Sequence, residues 1–203
     1  YELIKDENGD YRFPDNMSGN LVSGDSEVNY YYAKKEIVMT VNHYIDGTEN
    51  KILLKDGTEV ASTILRGFEG ENYTTEAISS EQLHEKFELI EIPYNANGTF
   101  GYETSTINYY YKIKSYSITA QANKVQEKDE NGNIIEVEGG EVIFEKETVK
   151  YGENSKKDII VKPYDTYEVS NVKVNGADLG YTVNEDGTVT LDKVENVTEN
   201  KVI

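Results

Sequence analysis

A mainly β chain, built from small modules in series and elongated overall, is the fold class the sequence predicts. Three observations carry it. An internal repeat places "VNYYYAKK" at 28–35 and "INYYYKIK" at 107–114. Short runs of period-two alternation recur along the whole chain, separated by Asn-Gly, Asp-Gly and Gly-Gly turns. The apolar content is low, 37% of 203 residues with 17 of them tyrosine, so several thin modules fit better than one thick core.

The repeat sets the boundaries. From Pro14 the chain reads "PDNMSGNLVSGDSEVNYYY" and from Pro93 "PYNANGTFGYETSTINYYY", two gapless 19-residue stretches with eight identities. "YELI" (1–4) and "FELI" (87–90) precede them. The first copy carries the longer link, whose Asn8-Gly9 reads as a type I′ hairpin tip. Residues 1–35 are thus the C-terminal part of one module, 36–115 a complete second copy, and 116–203 a separate all-β module. The chain opens at Tyr1 and stops at Ile203, and is read as a piece of a longer protein.

Each element of the complete copy has its own signal. "EIVMTVNHYID" (36–46) alternates, placing Ile37, Met39, Val41 and His43 on one face and Val38, Thr40, Asn42 and Tyr44 on the other. "KILLKDGTEVAST" (51–63) gives two short runs about an Asp-Gly turn. "SSEQLHEKFELI" (79–90) predicts the one helix, with Ser79 and Gln82 as a capping box and Leu83 and Phe87 on one face. "STINYYYKIK" (105–114) is the closing strand. Beyond Tyr116, strands are expected at 117–126, 141–151, 157–163, 167–176, 179–183 and 188–194.

The three tyrosines divide by strand periodicity. Val28, Tyr30 and Tyr32 share a face, as do Ile107, Tyr109 and Tyr111, and the aliphatic residue marks that face as the core side. Tyr31 and Tyr110 point the other way, beside Asn29 and Asn108. Covering a neighbouring module is the plainer role for these two rings. The alternative is an aromatic platform for a sugar, with Tyr31, Tyr110, Asn29 and Asn108 as the ligand-binding residues.

Charge and composition narrow the partners. A net charge of −18 repels phosphate backbones and anionic lipid surfaces, which argues against nucleic acid and membrane partners. No apolar run is long enough for a membrane span or a signal-peptide core. With no cysteine there is neither disulfide nor thiolate chemistry. The two histidines, His43 and His84, show no metal-ligand spacing; His43 reads as a core-edge or inter-module residue and His84 as a solvated helix position. "DENGD" (6–10) and "KDENGN" (128–133) lack the later glutamate of a calcium loop and read as hairpin tips. No nucleophile elbow occurs. An enzyme, a cofactor and a metal site are therefore not expected.

Taken in order, Tyr44-Ile45-Asp46, Gly67/Gly70/Tyr73, Phe87 and Leu89, Asn95/Gly98/Thr99/Phe100 and Tyr109–Tyr111 resemble the signature of the MucBP (mucin-binding protein) repeat of Gram-positive surface proteins. The resemblance covers 36–115 fully and 1–35 partly. It implies a β-grasp, ubiquitin-like fold and a monomeric stalk of modules on the cell wall, outside the cell. It also implies an adhesin whose partner is host mucin or a glycan; a spacer that only projects a distal domain is the alternative. The segment 47–66 is longer than the family's usual turn, and "ISSEQLHEK" widens the middle of the module.

Overall fold

Alternation along "IVMTVNHYI" produces the longest strand pair of the chain. The computed structural model describes residues 1–20 and 23–203, and among them all regular structure is β. The described residues divide into two units, Tyr1–His84 with Leu89–Tyr111, and Glu85–Glu88 with Lys112–Ile203.

In chain order the strands are β1 (Glu2–Leu3), β2 (Tyr32–Ala33), β3 (Ile37–Ile45), β4 (Thr63–Gly67), β5 (Asn72–Thr74), β6 (Phe87–Leu89), β7 (Asn97–Thr99) and β8 (Ser105–Ile113). There follow β9 (Ser115–Thr119), β10 (Val125–Lys128), β11 (Ile134–Val137), β12 (Gly140–Ile143), β13 (Glu147–Lys150) and β14 (Ile160–Pro163). The last are β15 (Lys173–Val174), β16 (Ala177–Asp178), β17 (Tyr181–Val183), β18 (Val189–Leu191) and β19 (Lys201–Val202).

A four-stranded sheet, ordered β4–β3–β8–β6, organises the complete copy. β3 pairs antiparallel with β4 and parallel with β8, in a register that sets His43 opposite Tyr109, Tyr44 opposite Tyr110 and Ile45 opposite Tyr111. The inward face follows the alternation. Ile37, Met39, Val41 and His43 are buried from β3, and Ile107, Tyr109 and Tyr111 from β8. The Asp56-Gly57 turn forms where expected, flanked by the bridge Leu53↔Glu59, while the bridge Tyr44↔Lys51 flanks the turn before it.

The helix over 79–90 does not form. One turn closes at Ser79, whose carbonyl accepts from the amides of Gln82 (3.0 Å) and Leu83 (2.9 Å). The chain then extends, because Leu83 bridges to Leu54 and Phe87–Leu89 joins the sheet as β6. Sheet pairing overrides a weak helical propensity in a segment of little more than three turns, a length marginal for an isolated helix. His84 is accordingly not on a helix; it is half-buried, and its amide donates to the carbonyl of Leu53 at 3.0 Å.

Phe100 closes the far end of the module. Its ring is buried, meets Tyr73 edge-on at 5.3 Å between centroids, and lies on the Cα of Gly67. A Cβ at Gly67 would come within 2.4 Å of that ring. Tyr73 in turn sits opposite Gly98 across the β5–β7 ladder. The spaced glycines and aromatics of the sequence signature thus pack on one another.

Local hydrogen bonds are the same in the two copies. The Asn16 side-chain amide donates to the carbonyl of Glu27 (2.7 Å), and Asn95 donates to Thr106 (3.0 Å). The amide of Met17 donates to Pro14 and that of Ala96 to Pro93; likewise Ile4 to Tyr31 and Ile90 to Tyr110. Burial is not the same. Val28, Tyr30 and Tyr32 are 43%, 44% and 58% exposed, where Ile107, Tyr109 and Tyr111 are 0% exposed. The expected core face of the first copy is therefore corrected. Among the described residues only the short β1 pairs with β2, and no strand stands beside Tyr30–Tyr32 as β3 stands beside Tyr109–Tyr111.

The hairpin tips also depart from expectation. At 6–10 only Gly9 has a positive φ (87°), so the turn is not type I′. Gly9 donates to the carbonyl of Asp6, and Asp6 donates to that of Asp10. The Asp6 carboxylate accepts from the amides of Asn8 (2.9 Å) and Asp10 (3.0 Å), holding Asn8 right-handed in a type I turn closed by a left-handed glycine. The same backbone bonds recur at 54–58, 129–133 and 184–188.

The second unit holds a four-stranded sheet, β12–β14–β18–β17, and a three-stranded one, β13–β9–β19, with the hairpins β10–β11 and β15–β16. Ile118, Val149, Ile159, Val189, Leu191, Val194 and Val197 form its core. The run 141–151 is not one strand: it breaks into β12 and β13, which join different sheets. Of 167–176 only Lys173–Val174 is strand, while β11 and the parallel β19 had no anticipated counterpart.

A Gly67→Ala substitution is expected to cost about 1–3 kcal/mol, since Phe100 must leave its place to admit a methyl group. Urea unfolding followed by near-UV circular dichroism of the tyrosines measures this, and Phe100→Leu in the same chain should return part of the loss.

Candidate functional site

The parallel pairing of β3 and β8 sorts their side chains into two opposed sets. On the inward face, the ring of His43 stacks on Tyr109 at 5.0 Å and 11°. On the outward face, Asn42 stands opposite Asn108 and Tyr44 opposite Tyr110. The Asn42 amide donates to Asn108 Oδ1 (3.0 Å), and the Tyr44 and Tyr110 rings lie 6.4 Å apart, tilted by 34°. Because its oxygen is taken by Asn42, Asn108 keeps its own N–H donors for an incoming group.

Lys51 anchors the Tyr44 side of this ladder. Its ammonium sits 4.4 Å above the Tyr44 ring and donates to Asn42 Oδ1 (3.2 Å) and Ser62 Oγ (2.6 Å). Ser62 also donates to Asn42 Oδ1 at 2.6 Å. Lys51 and Ser62 hold the Asn42 amide in one orientation, and through it that of Asn108.

On the Tyr110 side lies an open groove of about 510 Å³, walled by Asp46, Ile90, Ile92, Tyr94, Asn108 and Tyr110. Its apolar groups are unusually bare: Tyr94 is 98% exposed, Ile92 67% and Tyr110 40%. Glu91 and Asn95 also line it. Asn95 spends its amide on the carbonyl of Thr106 and leaves its oxygen as an acceptor.

Of the residues singled out from the sequence, the fold brings Tyr110 and Asn108 together at this groove. Tyr31 and Asn29 are exposed and lie outside any strand, and Tyr31 is held through its backbone carbonyl, which accepts from the amide of Ile4 at 3.0 Å. The two pairs therefore do not make equivalent sites. Sequence reading passed over Tyr44, Asp46, Lys51, Glu91 and Tyr94 as site residues. Tyr44 was legible as outward-facing, but its place beside Tyr110 depends on a pairing between strands more than sixty positions apart. Among the described residues no group of three acidic, histidine or cysteine side chains is placed to hold a metal ion.

Residues 39–112 match the family model described as the MucBP domain. The match spans a little over a third of the chain. Internalin J of Listeria monocytogenes serotype 4b (strain F2365) is 31% identical over 125 residues, which span 60% of this chain and 12% of that protein. Internalin J of serovar 1/2a (strain ATCC BAA-679 / EGD-e) is 36% identical over 101 residues, 48% of this chain and 11% of that one. The chain thus covers only a small part of the curated relatives it resembles. A crystal structure of Mub-RV overlaps 81% of this chain and 96% of its own at 15% identity, with a TM-score of 0.27, too loose a superposition to argue from.

Beneath the groove, the core of this MucBP-like unit fixes the two strands that carry it. Tyr111 accepts from the amide of Ile78 (2.9 Å) and lies 3.1 Å from His43 Nδ1. With that amide already bonded to its oxygen, the phenol is placed to donate its proton to Nδ1, which requires a neutral imidazole. Thr75 donates to the carbonyl of Ala96, so Tyr109 donates to Thr75 at 2.9 Å. His43 is a core residue of this unit, and burial, with the nearby charge of Lys51 second, lowers its pKa from 6.5 to about 4.

The pH dependence has one sign. Unfolded chains bind the proton near pH 6.5 and the folded domain only near pH 4, so stability falls as pH drops between these values and is unaffected by His43 above them. The loss should reach on the order of 3 kcal/mol below the folded value. Thermal melts from pH 7.5 to 4 measure it, and His43→Leu should flatten that part of the curve while lowering stability at neutral pH.

Proposed function

We propose that this chain is a stretch of an adhesin displayed on the cell wall of a Gram-positive bacterium, and that its MucBP domain binds host mucin or its glycans through the outward face of β3 and β8. The observation that carries this reading is the groove beside Tyr110. It combines bare aromatic and aliphatic surface with the Asn108 donors and the Asn95 acceptor, the mix by which a sugar ring is stacked and its hydroxyls are bonded. The MucBP match and the two internalin relatives support the surface setting.

The modules are read as a series: 1–35 the C-terminal part of one MucBP-like repeat, 36–115 a complete repeat, and 116–203 a further all-β module. The strand order β4–β3–β8–β6, with its parallel central pair, supports a β-grasp-like reading in which the extended segment 75–86 takes the place of the usual helix. The chain works as a non-catalytic monomer outside the cell. Tyr31 and Asn29 of the first repeat belong to the same binding surface where that repeat has its full sheet.

Binding to immobilised mucin tests this. The intact chain should bind saturably, and Tyr110→Ala should weaken binding at least about tenfold, the range expected for losing a stacked aromatic anchor. Tyr31→Ala should have a smaller effect in this chain. No binding by folded protein would leave the modules as spacers that project a distal domain.

A further inference from the structure

We propose that the groove beside Tyr110 is selective for uncharged pyranoses, and that Asp46 and Glu91 disfavour sialylated or sulfated sugars; the inference rests on the glycan reading above. The groove is lined by two carboxylates and by no cationic side chain. Two cations on this face are engaged elsewhere: Lys51 is turned onto the Tyr44 ring and bonded to Asn42 and Ser62, and Lys112, two residues from Tyr110 on β8 and outside the groove lining, pairs with Glu88 at 3.3 Å. The whole chain carries a net charge of −18.

Each lining group suits a neutral sugar. The Tyr110 ring and the exposed Ile92 and Tyr94 offer apolar surface to the C–H face of a pyranose. The Asn108 amide donates to a ring or hydroxyl oxygen, while Asn95 Oδ1 and the two carboxylates accept from hydroxyl protons. A hydroxyl satisfies a carboxylate. A sialic acid carboxylate or a sulfate has no proton to give, and meets two like charges instead. At contact distance in water such a pair is repelled by about 1 kcal/mol, about a fivefold loss of affinity, and salt screens it. Host mucin would therefore be held through its neutral sugars.

The test uses the intact chain on immobilised mucin and on paired neutral and sialylated or sulfated glycans, at low and at physiological ionic strength. Removal of sialic acid should raise binding about fivefold at low salt, with a smaller gain at high salt. Asp46→Asn with Glu91→Gln should bring acidic glycans close to their neutral counterparts. Glu7→Gln with Asp10→Asn changes the net charge equally, away from the groove, and should leave the ratio unchanged. Binding that falls on desialylation, or a ratio the groove variants do not move, would overturn the selectivity while leaving the glycan site intact. Binding to none of the glycans or mucins by folded protein would overturn the glycan site itself, and this inference with it.

Discussion

The parallel pairing of β3 with β8 is the constraint on which the first unit depends. Strand periodicity gives each partner an apolar and a polar side, but only the register decides which polar groups meet. With His43 opposite Tyr109 and Tyr44 opposite Tyr110, one face becomes a stack of buried rings and the other a ladder of amides and phenols that runs from buried Asn42 to exposed Tyr110. A slip of one residue would exchange the two faces. The buried hydrogen bonds guard against it: Tyr109 reaches Thr75, and Tyr111 reaches both His43 and the amide of Ile78. These bonds are available only when the rings face inward in this register.

The residues that carry the MucBP resemblance and those that form the groove overlap only in part. Gly67, Tyr73, Gly98 and Phe100 pack against one another at the end of the sheet. Tyr109 and Tyr111 are buried. Their shape and spacing are dictated by packing, so they carry information about the fold and little about a ligand. Glu91, Ile92 and Tyr94 stand on an exposed connection and can vary without disturbing the core. A fold signature of this kind can therefore persist while the character of the groove changes between modules.

Comparing the two copies separates local from tertiary information. The turn that starts at the proline, the asparagine bond that bridges it to the following strand, and the first contact of the "ELI" segment are the same in both. Each is encoded within a few dozen residues. The burial of the tyrosines is not encoded that way. Identical "NYYY" letters enclose the first and third rings beside β3 and leave all three exposed where β1 is the neighbour. The aspartate-capped hairpin tips make the same point at smaller scale, since a carboxylate bond to the backbone chose the turn type over the Asn-Gly dipeptide.

The amino-acid sequence by itself determined the β class, the repeat, the inward set of β3 and β8, and the likeness to the MucBP domain, because alternation, turn chemistry and motif spacing are local and survive as patterns of letters. It also pointed to Tyr110 and Asn108 as outward-facing. Tertiary structure decided what stands beside them. Asp46 arrives from the end of β3, Glu91 and Tyr94 from the connection after β6, and the Asn42–Ser62–Lys51 network from three separate segments. It also turned the 79–90 segment into a single turn followed by an edge strand. The physical reason is the same in each case: pairing across long sequence separations fixes these neighbours, and no local propensity records which strand will be the partner.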